Sequence, residues 1–170
     1  RSRVAVDWPR WVKRGLCTML KWALAAVVGM FLCAASVQAA PLVATIDVPN
    51  QTMTVKRHGE IIHQWSVSTA RAGYITPRGS FRPYRIHRIW HSRTYDNAPM
   101  PYAVFYDRGW AIHGTTAVSR LGQPASHGCV RLATENARIF YDLVREIGAG
   151  NTRIVVTDEP AASLSAELRR

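Results

Sequence analysis

The segment Ser126-His127-Gly128-Cys129-Val130-Arg131-Leu132 holds the residues best suited to covalent chemistry. It places a thiol two residues after one imidazole and sixteen residues after another, His113, in Ile112-His113-Gly114-Thr115. A thiol is only a few per cent ionised at neutral pH, so attack on a carbonyl requires a base or a positive environment. Side chains at i and i+2 share a face in a strand and diverge in a loop. His127 can therefore lie near the sulfur without pointing at it, whereas His113 arrives from a separate strand and can be aimed freely. The expectation is a sulfur held ionised beside that distant imidazole. Gly128 permits a tight bend before the nucleophile, and amides around Gly128 and Cys129 could face a carbonyl oxygen as an oxyanion hole. The rival readings are an inert buried cysteine and a zinc site made of His113, His127 and Cys129. No CxxC or HxxxH spacing supports zinc, so neither metal nor cofactor is expected.

Cysteine usage sharpens this reading. Basic residues up to Lys21 precede the apolar run 22–35, and small residues at Val37 and Ala39 stand at the −3 and −1 positions of a signal peptidase site. A run of 14 residues is short beside the roughly 20 a spanning helix needs and matches a secretory h-region. Residues 1–39 are read as a signal peptide, with a retained anchor as the rival. Export places the protein in the periplasm or cell envelope, with membrane contact only through an uncleaved signal. Cleavage removes Cys17 and Cys33 and leaves Cys129 without an internal disulfide partner.

The formal charge is +11. Residues 1–39 hold six basic residues against Asp7, and the remainder holds sixteen basic against ten acidic. The excess after residue 39 suits an anionic wall polymer or peptide carboxylates, and export argues against nucleic acid. Arg78, Arg82, Arg85, Arg88 and Arg93 interleave with Phe81, Tyr84, Trp90 and Tyr95. This stripe is read as a solvated β face, with carboxylate binding beside the site as the alternative.

The elements that must position these groups are mostly strands. Period-two alternation predicts strands at 43–48, 52–56 and 61–68, the last two joined by a turn at Arg57-His58-Gly59-Glu60. Residues 71–101 are rich in turn formers, with short strands through 80–89. Tyr102–Tyr106 and Trp110–His113 read as a strand pair, followed by a polar loop from Gly114 to Ala125. Ala137, Phe140, Val144 and Ile147 form one apolar stripe, which predicts a helix over 134–147. Thr134 is its expected N-cap and Gly148 its end. Arg153–Thr157 reads as a closing strand, and 159–170 as a polar tail.

The 113–131 pattern resembles the signature of the L,D-transpeptidase (YkuD-type) catalytic domain: a strand-end His, a loop, then Ser/Thr-His-Gly-Cys, a hydrophobic residue and Asn or Arg. The His58-Gly59 turn resembles that family's N-terminal hairpin, and Thr76-Pro77-Arg78-Gly79-Ser80-Phe81 its Thr-Pro-x-Gly-x-Phe element. The resemblance implies one catalytic domain over 40–158, a mostly β, sandwich-like fold with one main helix after the Cys motif. It makes Cys129 the nucleophile and His113 the general base and acid, held by the carbonyl of Gly114. His127 would support the sulfur, the Gly128 backbone the oxyanion, and Ser126 and Arg131 the substrate. The 12-residue loop between His113 and Ser126 would be a short lid over the acyl pocket.

The implied reaction is acyl transfer on peptidoglycan stem peptides. Cys129 would attack the carbonyl of the third-position diamino acid and expel the terminal D-alanine. An amine from another stem would then form a 3→3 cross-link, and an amine from an envelope protein would anchor that protein. Water would make the enzyme an L,D-carboxypeptidase. A wall-binding module without activity is the competing class, and a monomer is expected.

Overall fold

The computed structural model describes residues 40–159. The expected signal at 1–39 and the tail from residue 160 lie outside the described residues. The period-two runs fold as β1 (Leu42–Asp47), β2 (Thr52–Arg57) and β3 (Glu60–Ser66), an antiparallel meander. The β2–β3 hairpin turns on His58 and Gly59, both at positive φ (50° and 88°). That combination lets a two-residue loop match the twist of its strands. β9 (Thr152–Thr157) lies parallel to β1, and β4 (Gly79–Phe81) closes the far edge, in the order β3-β2-β1-β9-β4. The second sheet runs β5 (Arg85–His87), β6 (Ala103–Asp107), β7 (Trp110–Thr115), β8 (Val130–Ala133), with β7 and β8 parallel. β8 went unread in the sequence, because four residues between a motif and a helix show no period.

Alternation decides which side chains enter the core. Leu42, Ala44 and Ile46 of β1 and Met53 and Val55 of β2 are fully buried. They meet Val104, Ile112, Val130 and Leu132 of the second sheet in one cluster. The one α-helix among the described residues, α1 (Thr134–Ile147), adds Ala137, Phe140 and Val144 to it. Burying a side chain the size of Phe140 contributes about 1.5–3 kcal/mol. Gly148, at φ 92°, ends the helix with its N–H on the carbonyl of Val144 at 2.9 Å. The start of the helix differs from expectation. The N-cap position belongs to Ala133, with no side-chain cap, and Thr134 is the first helical residue. β8 runs straight into α1 and leaves no loop residue to cap it. The Thr134 hydroxyl instead donates to the Thr115 carbonyl at 3.3 Å, tying the helix to the end of β7.

The opposite face of the second sheet carries the smaller cluster of Met100, Ala103, Phe105 and Ala111, against which Trp90 and Cys129 pack. Two irregular segments flank this face. Residues 68–71 bond to the Cys motif, Ser68 with Arg131 and Arg71 with Ser126. Residues 88–102 rise as a flap, laced by backbone bonds from Tyr102 to Arg88, Met100 to Trp90 and Ser92 to Ala98.

Candidate active site

Parallel pairing sets Ile112 beside Val130 and His113 beside Arg131. Cys129, two residues before Arg131, therefore stands diagonally across from His113. Both side chains open on one cavity of about 620 Å³, including its mouth. No hydrogen bond joins the thiol to the imidazole among the described residues, and such contacts commonly tighten only when substrate binds.

The His113 ring is buried, at 7% exposure, with Nδ1 2.8 Å from the Gly114 carbonyl. A carbonyl only accepts, so Nδ1 carries the proton and Nε2 keeps its lone pair. Burial holds the imidazole down to about 4, against the Gly114 bond, which raises it; nearby Arg131 adds to the lowering. Burial also pushes the Cys129 thiol up, partly offset by a backbone hydrogen bond from Ala111 and by Arg131. At neutral pH the resting pair is therefore thiol and free-base imidazole. Burial therefore works against the ion pair expected from the sequence, because desolvation opposes the charge on both groups.

The turn before the thiol has little freedom. Gly128 adopts φ +129°, and an added Cβ would lie 2.4 Å from Trp110 Nε1 and 2.8 Å from the Ile75 carbonyl oxygen. Only glycine fits there. Ser126 is buried, and its hydroxyl donates to the Cys129 carbonyl at 2.6 Å and accepts the Gly128 N–H at 2.9 Å. The hydroxyl is thus spent on the turn itself, and the Gly128 amide expected to face an oxyanion already has a partner.

His127 forms part of the cavity wall and stacks flat on Tyr95 of the flap, at 4.3 Å and 10°. Tyr74 meets its edge at 4.6 Å, and Arg71 donates to its Nε2 at 2.8 Å. A guanidinium only donates, so this ring is neutral with its proton on Nδ1. Desolvation, Arg71 and then Arg131 all hold it below the usual imidazole value. Arg131 borders the same cavity, and its Nε is buried without a partner. Among the described residues, its one side-chain bond is a long 3.4 Å contact to the Ser68 hydroxyl.

The cover over the cavity comes from the flap, through Ser92, Thr94, Tyr95, Ala98 and Pro99. This corrects the expected lid: no residue of the 114–125 loop lines the cavity at Cys129. The arginine stripe also divides. Arg78 pairs with Asp158, and Arg85 lies over the rings of Phe105 and Trp90 at 4.5 and 4.8 Å. None of its five members lines that cavity. Sequence reasoning missed Arg71, Tyr95 and Trp110, which reach the motif only through tertiary contacts. It noted Thr76 within a motif but could not see where its hydroxyl goes. Among the described residues, no group of His, Cys, Asp and Glu could hold a metal ion.

This geometry can be set beside known proteins. A family profile described as YkuD, L,D-transpeptidase catalytic domain, matches residues 41–156. The probable L,D-transpeptidase YbiS of Escherichia coli (strain K12) is 42% identical over 65 residues, 38% of this chain and 20% of that protein. The probable L,D-transpeptidase ErfK/SrfK of the same strain is 37% identical over an equal span. The aligned part is thus about a fifth of the length of these relatives. An L,D-transpeptidase from Mycobacterium smegmatis superposes with a TM-score of 0.62 at 25% identity, over 69% of this chain and 59% of that one. The LD transpeptidase LdtMt1 in complex with imipenem gives 0.61 at 27%, with the same coverage. With the profile spanning both sheets, the helix and the whole Cys motif, the chain belongs to the L,D-transpeptidase catalytic domain (YkuD) family.

Proposed function

We propose that this domain is a cysteine acyltransferase acting on peptidoglycan stem peptides, with Cys129 as nucleophile and His113 as general base and acid. The observation that carries the reading is the fixed tautomer of His113. Its Nδ1 is engaged by Gly114, which leaves Nε2 as the basic nitrogen on the strand beside the thiol. As Sγ attacks the carbonyl carbon of the third-position diamino acid, Nε2 takes the thiol proton. The tetrahedral centre collapses, the C–N bond breaks, and the departing D-alanine amine takes the proton back from His113. An incoming amine then attacks the thioester, gives a proton to His113, and the thiol is restored. A neutral resting pair suits this sequence, because charge appears only as the bond forms. In this reading Arg131, whose Nε has no partner among the described residues, receives a substrate carboxylate.

An acceptor amine from a second stem gives a 3→3 cross-link, and one from an envelope protein gives wall attachment. The same reading takes residues 40–158 as the catalytic domain of an exported protein that acts in the periplasm or cell envelope, with 1–39 as its signal.

The test is incubation with disaccharide tetrapeptide, with products read by mass. A 3→3 dimer is expected from the protein and none from Cys129→Ala. Tripeptide monomer alone would replace transfer by hydrolysis. Unchanged substrate with a folded protein would overturn the enzyme reading in favour of a wall-binding module.

A further inference from the structure

Thr76 lies outside the groups that react, yet it is 1% exposed and its hydroxyl is fully used. Its Oγ1 accepts the Ala70 N–H at 3.0 Å and donates to the Gly128 carbonyl at 2.9 Å. That carbonyl belongs to the peptide plane joining Gly128 to Cys129. In a trans peptide the C=O and the following N–H point in opposite directions. Holding the carbonyl toward Thr76 therefore turns the Cys129 N–H away from it. The two neighbouring polar groups of the turn are already satisfied. The Gly128 N–H goes to Ser126, and the Cys129 carbonyl accepts from the same hydroxyl. The Cys129 N–H has no hydrogen-bond partner among the described residues.

We infer that Thr76 is a positioning residue for acyl transfer, orienting the Gly128–Cys129 peptide so that the Cys129 N–H is kept as the donor for the acyl oxygen. The inference rests on the acyltransferase reading above. Of the two amides expected around Gly128 and Cys129, it keeps the second as the oxyanion donor, since the first is engaged by Ser126. Thr76 touches neither the thiol nor the substrate and acts through the peptide plane alone. Without its hydroxyl, the Gly128 carbonyl would be left buried and unsatisfied, which favours rotation of that plane.

Two electrophiles applied to the full chain separate this role from a merely structural one. A carbapenem acylates the thiol through a tetrahedral oxyanion and needs the donor. Iodoacetamide alkylates it by direct displacement at carbon and does not. Thr76→Val should slow carbapenem acylation roughly 10- to 100-fold, below the loss seen when an oxyanion donor is deleted outright. Its alkylation rate should stay within about twofold, and Thr76→Ser should restore acylation. Equal slowing of both reactions, or of neither, would overturn the inference, as would failure of Ser to rescue. If the unmodified protein is alkylated but never acylated, the acyltransferase reading falls first and this one with it.

Discussion

Helix α1 and the turn that carries the thiol lie next to one another in the chain and are built on opposite terms. The helix rests on many similar contributions: a buried stripe of Ala137, Phe140 and Val144, a Gly148 stop, and exposed ion pairs such as Arg138 with Glu135. Loss of one exposed contribution leaves the rest intact. In the turn, the Gly128 N–H, the Gly128 carbonyl and the Cys129 carbonyl each have a single partner, and the Cys129 N–H has none among the described residues. Ser126 closes the turn from within, Thr76 holds it from one side, and the Trp110 indole fills the space beside Gly128. Redundancy produces stability there, and single-valued placement produces chemistry here.

Substitutions can break this contrast. The largest effect is expected from Gly128→Ala, where φ +129° and a Cβ 2.4 Å from Trp110 Nε1 both oppose the side chain. Thiol acylation should fall at least about 100-fold, and the urea midpoint should drop by the equivalent of about 1–3 kcal/mol. Acylation at the unmodified rate would mean that the turn tolerates movement and that the contrast is false. Phe140→Ala is the reciprocal case. The ring is fully buried, so truncation should cost about 3–5 kcal/mol in chemical denaturation. Acylation per folded molecule should change little, because the helix holds up the sheet without touching the cavity.

The smallest and most specific effect concerns pH. The His113 imidazole sits at about 4 when folded against about 6.5 when unfolded. The unfolded chain binds the extra proton first, so stability rises with pH between about 4 and 6.5. As pH falls through that window, roughly 3 kcal/mol of stability is lost from this group. Below about 4 the base itself is protonated, and acylation should fall there and not near 6.5. A rate profile with its acid limb at 6.5 would show that His113 is more hydrated than its surroundings indicate.

Much of the fold was legible because it is written in local periods. The alternation of β1 and β2, the His58-Gly59 turn and the three-and-four spacing of α1 are each contained within a dozen residues. β8 was not legible, since four residues cannot display a period and each parallel partner lies eighteen residues away. The cover over the cavity was placed in the wrong loop for a similar reason. The 114–125 segment is nearest to the motif in sequence, while the flap at 88–102 reaches it only once the chain is folded, through the Tyr95–His127 stack and the Met100 cluster on which Cys129 packs.

By itself the sequence determined which residues could react, since a thiol, two imidazoles and a glycine within twenty positions suit few other purposes. It also determined the strand that carries His113 and the helix beyond the Cys motif, though not β8. Only the tertiary structure decided that burial opposes charge on both thiol and imidazole, that the Gly128 amide is already occupied, and that Thr76 holds the peptide plane beside the sulfur. Those outcomes depend on burial and on the direction of individual hydrogen bonds. Both are set by which distant segments pack together, and neither is a property of any stretch of chain read alone.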